Sequence, residues 1–192
     1  MARLLHPTLW RTCRVLSGKT RLELLRLVID RPDQTVSGLA HSLKISLPRA
    51  SQELRRLQSR GLIQAVATGL HVRYRPVPDP LVATAAPLLQ AMRAAFQRQP
   101  PPADEETSRI ATGFSHVRRL ALARLLLIGP MNTQTLEELS GLSRNVLNRH
   151  LRRMRDAGVV RRLGQMNAIA DHPHPLAQCL LGILKDSPAR AG

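Results

Sequence analysis

Two short stretches concentrate side chains able to contact a polyanion. The first runs from Ser46 to Ile63 and reads S-L-P-R-A-S-Q-E-L-R-R-L-Q-S-R-G-L-I. At about 100° per residue, a helix here puts Ala50, Leu54 and Leu57 on one face. Pro48, Gln52, Arg55, Arg56 and Ser59 fall on the other. The second runs from Ser143 to Val160 and reads S-R-N-V-L-N-R-H-L-R-R-M-R-D-A-G-V-V. Leu147, Leu151 and Met154 form its inner stripe, Asn145, Arg149, Arg152 and Arg153 face out, and Asn148 sits at the edge. Arg149 can bond guanine through two N–H groups, and Gln52 and Asn148 can do the same with adenine. Arg55, Arg56, Arg152 and Arg153 suit phosphates, which position a protein on duplex DNA without reading its sequence. Arg49, Ser51 and Arg144, at the helix starts, complete the candidate DNA-contacting set.

These side chains need a helix held by its apolar stripe. Ser46 and Ser143 are placed to cap the two helices, and Gly61 and Gly158 to stop them. After Gly61, Leu62 to Val66, a turn at Thr68-Gly69 and Leu70 to Tyr74 alternate as a hairpin does. A second hairpin, Val159 to Ala170, is shorter and poorer in β-formers. His71 and Arg73 in the first, and Arg161, Arg162 and Gln165 in the second, are placed to touch backbone phosphates or the minor groove. Of these, His71, Arg73 and Arg162 join the candidate DNA-binding residues.

Other chemistry finds little support. D-H-P-H at Asp171 to His174, with Cys179 five residues on, contains possible metal ligands. Its P-H-P-L core repeats the ligand-free P-D-P-L at Pro78 to Leu81, so breaking the chain before a helix explains it better. Cys13 and Cys179 lie far apart, with no zinc spacing or disulfide framework. G-K-T at Gly18 to Thr20 lacks the upstream glycine of a phosphate-binding loop, and neither a nucleophile elbow nor a His-Glu zinc motif is present. The expectation is no enzyme, no cofactor and no metal.

Composition supports the polyanion. The 192 residues carry 29 Lys and Arg against 13 Asp and Glu, a net charge of +16, and only Lys19, Lys44 and Lys185 are lysines. Such a balance points to nucleic acid first and an anionic membrane surface second. A GC-rich genome would also inflate arginine. Aromatics make up 2%, which favours a helical core of Leu, Val, Ile and Ala. No apolar run reaches transmembrane length. The expected location is the cytoplasm, on the nucleoid.

The whole pattern occurs twice. S-G-K-T-R-L-E-L-L-R-L-V-I-D-R-P from Ser17 matches S-H-V-R-R-L-A-L-A-R-L-L-L-I-G-P from Ser115, with Arg21/Arg119, Leu22/Leu120, Arg26/Arg124 and Pro32/Pro130 at one offset. Thr35 to Leu43 is a short helix that Thr133 to Leu139 repeats. Residues 1–16 read as a first helix, Ser17 as the cap of the next, and Leu81 to Phe96 as a closing helix kinked at Pro87. Residues 97–113, with P-P-P-A-D-E-E, read as a stiff linker. The domain reading is therefore 1–96, a linker at 97–113, and 114–192, with net charges of +10, −1 and +7.

R-L-E-L-L-R-L-V, T-V-S-G-L-A-H-S-L-K-I-S, A-S-Q-E-L-R-R-L-Q-S-R-G-L-I and G-L-H-V-R-Y-R together resemble the ArsR-type winged helix-turn-helix of bacterial and archaeal repressors, and R-N-V-L-N-R-H-L-R-R-M-R-D-A-G-V-V resembles the same element. The resemblance implies one reading helix per unit, with first and last helices at a dimer interface. Some members sense metals through Cys-x-Cys on the short helix before the reading helix; that helix has no cysteine here. The expected fold is mainly α with small β-hairpins: two winged helix-turn-helix domains in tandem, related by a pseudo-two-fold. The expected function is sequence-specific binding of double-stranded DNA by a transcriptional regulator, a repressor by resemblance. It would act as a monomeric pseudo-dimer or a homodimer, with no membrane partner. A tandem winged-helix protein scaffold and a plasmid or phage replication initiator are the rival readings.

Overall fold

The computed structural model describes residues 8–69, 71–98 and 104–186. The protein is mainly helical with small antiparallel hairpin sheets. Its first half contains α1 (Leu9–Leu16), α2 (Lys19–Asp30), β1 (Gln34–Thr35), α3 (Val36–Ser42), α4 (Leu47–Gln58), β2 (Gln64–Thr68), β3 (His71–Arg75) and α5 (Ala85–Arg98). The second contains α6 (Asp104–Phe114), α7 (Val117–Ile128), β4 (Met131–Asn132), α8 (Thr133–Ser140), α9 (Arg144–Asp156), β5 (Val160–Leu163), β6 (Met166–Ile169) and α10 (Pro175–Asp186). The order of helices and strands is the same in both halves. So is the sheet topology: the later hairpin strand lies in the middle, as β1-β3-β2 and β4-β6-β5. Gln34 pairs with Tyr74 in one sheet and Met131 with Asn167 in the other.

The amphipathic stripes put the helices where the periodicity places them. Ala50, Leu54 and Leu57 are fully buried, as are Leu147 and Met154, with Leu151 1% exposed. The core is continuous through both halves: Cys13, Leu16, Leu22, Leu88 and Met92 join Ile110, Phe114, Leu120, Leu176 and Leu180 in one cluster. Each terminal helix packs on its counterpart, α1 on α6 and α5 on α10.

Several expectations change. Residues 104–113, read as linker, belong to α6. Their polar composition hides a stripe of Thr107, Ile110, Ala111 and Phe114, all buried. Asp104 is also buried, and it pairs with Arg26 of α2. Ser17 does not cap α2, whose N-cap is Gly18; its hydroxyl donates to the Arg14 carbonyl at 3.0 Å and closes α1. Ser46 and Ser143 hold the extended backbone of an N-cap, but neither side chain makes the capping bond. α5 begins at Ala85, after turns over residues 81–84, so Pro87 sits in its first turn, where a missing N–H leaves no gap and makes no kink. Residues 1–7 of the expected first helix, and Leu70 of the expected hairpin, lie outside the described residues.

Candidate nucleic-acid interface

The helix-turn-helix of the first half is set by its turns. Thr35 Oγ1 accepts from Gly38 N at 3.2 Å and starts α3. Lys44 then takes φ 53°, the left-handed turn that lets Ile45 N donate to Ala40 O at 3.1 Å. In the second half Asn132 Oδ1 accepts from Thr135 N at 2.8 Å, and Gly141 supplies the left-handed turn at φ 64°. A glycine adopts that conformation without the Cβ clash a lysine incurs. Both turns lead into a helix anchored inward by leucines.

On α4, Arg49, Gln52, Arg55 and Arg56 are exposed and Ser51 is half-buried. With Pro48 and Ser59 they line an open hollow of about 740 Å³. On α9, Arg144, Asn145, Asn148, Arg149, Arg152 and Arg153 are all exposed. Several candidates are engaged within the fold. Arg56 Nη1 donates to Glu53 Oε1 at 2.9 Å, Arg49 Nη2 to Thr20 Oγ1 at 3.1 Å, and Arg144 Nε to Glu137 Oε2 at 2.8 Å. Arg73 is not at the hairpin tip but in mid-strand, opposite Val66, and its Nη1 donates to Asp33 O at 2.7 Å. His71 and Arg162 are exposed on their hairpins. Gln52, Arg55, Asn145, Asn148, Arg149, Arg152 and Arg153 make no side-chain hydrogen bond or ion pair with the described residues, so their donors face solvent.

Glu53 is the exception among the ionisable residues of α4. It is 8% exposed and lies between two arginines, with Arg21 Nη1 at 2.8 Å from its second carboxylate oxygen. Burial pushes its carboxyl up, but the hydrogen bond and charge of Arg21, then those of Arg56, outweigh burial and hold it below the ordinary range. The result fixes α4 to α2. Tyr74, 4% exposed, ties the hairpin into the core; burial raises its phenol, with Arg55 pulling the other way.

A polar hollow of about 420 Å³ opens where α8, α9 and the second hairpin meet. Asn132 and Gln134 line it from the start of α8, Arg144, Asn148 and Arg155 from α9, and Arg162 and Gln165 from the hairpin. Three arginines and no carboxylate line it, which suits a phosphate group. Arg155 was legible as a candidate: it follows Arg144 and Asn148 at i+11 and i+7, on one helix face. Asn132 and Gln134 could be found only once the fold brought α8 against the hairpin.

The D-H-P-H segment is structural. His174 is 4% exposed, its Nδ1 accepts from Leu176 N at 3.1 Å, and its Nε2 meets Thr107 Oγ1 at 3.1 Å. His172 Nδ1 accepts from His174 N at 3.2 Å. The two rings thus start α10. Among the described residues no three His, Cys, Asp or Glu side chains group as a metal site. No described helix is long and apolar enough to cross a membrane.

The surface just described is the outer side of a helix-turn-helix followed by a hairpin, and one comparison bears on it. Residues 18–65 match the model for the arsR family of bacterial regulatory proteins. That segment, from α2 to the start of β2, is an ArsR-family helix-turn-helix domain, the type of domain found in DNA-binding transcriptional regulators. No curated protein matches the chain.

Proposed function

We propose that the chain is a sequence-specific double-stranded DNA-binding transcriptional regulator, built of two winged helix-turn-helix domains fused in tandem. α4 and α9 are its reading helices, and the two hairpins are its wings. One chain then does the work of a two-subunit regulator, with α1 against α6 and α5 against α10 taking the place of a dimer interface. The observation that carries the reading is the outer face of α9. Asn145, Asn148, Arg149 and Arg152 are exposed there, while Leu147, Leu151 and Met154 hold the opposite face in the core. The ArsR-family match over α2 to β2 and the recurrence of the same element order in the second half support extending it to both helices.

Gln52, Asn148 and Arg149 are assigned to the bases of the major groove. Arg49, Ser51, Arg55, Arg56, Arg144, Asn145, Arg152 and Arg153 are assigned to the phosphates beside it, and His71, Arg73 and Arg162 to the wings. The hollow below Arg144 and Arg162 takes a backbone phosphate. A repressor acting on the nucleoid in the cytoplasm is the biological role this assigns. The two reading faces differ, P-R-A-S-Q-E against N-V-L-N-R-H, so the site is two unlike half-sites about one helical turn, ~34 Å, apart. Selecting bound duplexes from a random pool tests this. The expected motif has two dissimilar halves one turn apart; a single short motif, or no enrichment at all, rejects the two-helix reading.

A further inference from the structure

The two halves of the chain can be compared residue for residue, and they differ most sharply at one buried position. Glu53 of α4 aligns with His150 of α9, Arg21 of α2 with Arg119 of α7, and Arg56 with Arg153. In the first half the carboxylate of Glu53 joins the two arginines, at 2.8 Å from Arg21 and 2.9 Å from Arg56. In the second half the arginines remain and the carboxylate is gone. His150 takes its place at 5% exposure, and neither of its ring nitrogens has a hydrogen-bond partner. Arg119 Nη2 donates to Ser115 Oγ at 2.9 Å, but its buried Nε has no acceptor.

The surroundings are uniformly positive or neutral. His116, the N-cap of the twelve-residue α7, has its ring centroid 4.8 Å from that of His150, and its Nδ1 accepts from Arg118 N at 3.1 Å. Burial, then His116, then Arg119, Arg149 and Arg118 depress the His150 imidazole to about 4. His116 is depressed by burial first, then by Arg119, Arg118, Arg149 and Arg14, so α1 adds a further cation to those of α7 and α9. On α8, which also packs on α9, Glu137 is engaged by Arg144. Among the described residues no acidic side chain pairs with Arg118, Arg119, Arg149 or Arg153.

We propose that His150, His116, Arg119 and Arg153, at the N-terminus of α7, form a binding site for a phosphate- or sulfate-type oxyanion, which supplies in the second half the negative charge that Glu53 supplies in the first. Two kinds of donor stand there, guanidinium N–H groups and an imidazole able to gain a proton, beside the start of a helix whose aligned dipoles favour an anion. An oxyanion at this place reverses the local charge, favours protonated His150 and gives one of its nitrogens an acceptor. Binding is therefore coupled to proton uptake and tightens as pH falls. Because His150 lies between Arg149 and Leu151 on α9, the occupant also tethers this helix to α7, as Glu53 tethers α4 to α2. The inference rests on the comparison of the two halves and stands whether or not the chain binds DNA.

The probe is sulfate, whose charge is constant between pH 5.5 and 8.0, set against chloride at equal ionic strength, with thermal unfolding of the full chain as readout. The wild type is expected to gain about 2–4 °C in Tm once sulfate is well above its Kd, and more at pH 5.5 than at pH 8.0. His150→Glu rebuilds the triad of the first half. It should melt higher than the wild type in chloride and lose the extra sulfate gain. Sulfate stabilises most proteins slightly by exclusion from their surface, so the difference between wild type and variant decides. His150→Gln keeps a donor but cannot take up a proton there, and its sulfate gain should change less with pH than that of the wild type. Equal gains in wild type and His150→Glu overturn the proposal, as does a pH-dependent gain in His150→Gln equal to that of the wild type. Repeating the melts with saturating duplex DNA identifies the source. A sulfate gain that disappears means a backbone phosphate fills the site; one that persists means a free anion does.

Discussion

Arg26 and Asp104 join the two halves of the chain: Arg26 Nε donates to Asp104 Oδ2 at 3.4 Å, with both residues 9% exposed. The guanidinium also donates to the Phe96 carbonyl at 3.2 Å and lies over the Phe96 ring, 4.2 Å from its centroid. α2, α5 and α6 therefore meet at one cation. Removing its carboxylate by Asp104→Ala leaves a buried charge short of its partner, which costs about 3 kcal/mol. The urea midpoint should fall with an unchanged m-value. The double variant Arg26→Met with Asp104→Leu should recover much of the loss, because no buried charge is then left over.

Two glycines inside helices should respond to alanine in opposite directions. A Cβ on Gly113 of α6 would stand 2.8 Å from Ala157 Cβ and 3.1 Å from Val159 Cγ2, where α6 crosses the end of α9. Gly113→Ala must push these apart, at a cost of about 1–3 kcal/mol. A Cβ on Gly182 of α10 meets nothing within 4 Å, so Gly182→Ala should stabilise by about 0.5–1 kcal/mol through helix propensity alone. Thermal melts of the two variants should shift to opposite sides of the wild type.

The inner stripes of α4 and α9 are visible in the sequence because they obey a local period, and burial follows the same period. The match between the halves is visible for the same reason. α6 escaped notice because Asp104, Glu105, Glu106 and Ser108 mask a stripe of only four residues behind a run of prolines. The repeat could have exposed it: α1 precedes α2, so a helix should precede α7. The caps failed differently. Ser17 stands one residue before the cap of α2, and Ser46 and Ser143 occupy the cap positions, yet whether a serine hydroxyl turns toward its own helix depends on neighbours that only the fold supplies. Glu53 and Arg21 are 32 residues apart, and no sequence spacing announces that α2 and α4 bring them to 2.8 Å. The burial of His150 was hidden in the same way, although its alignment with Glu53 was on view.

Acid should weaken the fold through His150. In the native chain its imidazole is held neutral down to about 4, whereas in the unfolded chain it titrates near 6.5. Between these values the unfolded state takes up a proton that the folded state refuses. The contribution is therefore fully present above about pH 6.5 and is lost as pH falls toward 4, by roughly 1–3 kcal/mol in all. His174, which burial also depresses most, acts in the same direction. In chloride buffer free of oxyanions, His150→Gln should flatten the stability profile across this window and leave the shares of His174 and His116. An unchanged slope would mean that His150 does not titrate differently in the two states.

DNA binding by the proposed reading helices should be dominated by phosphate contacts and should separate them from base contacts. Each phosphate neutralised contributes about −0.9 to the slope of log K against log salt, so a steep negative slope is expected for a chain of charge +16. Arg152→Ala removes an exposed charge assigned to the backbone. It should weaken binding by a similar factor on every sequence and make the salt slope shallower by about one unit. Arg149→Ala should act otherwise, because Arg149 is exposed, makes no ion pair with the described residues and stands between Asn148 and the arginines assigned above to phosphates. If it bonds guanine through two N–H groups, its loss costs about 1–3 kcal/mol on the selected site and little on sites altered at that base pair. Titrations of both variants on the selected duplex and on single-base changes, at several salt concentrations, decide between the roles. A uniform loss for Arg149→Ala with a shallower salt slope would reassign it to a phosphate and leave Asn148 as the base-reading residue of α9.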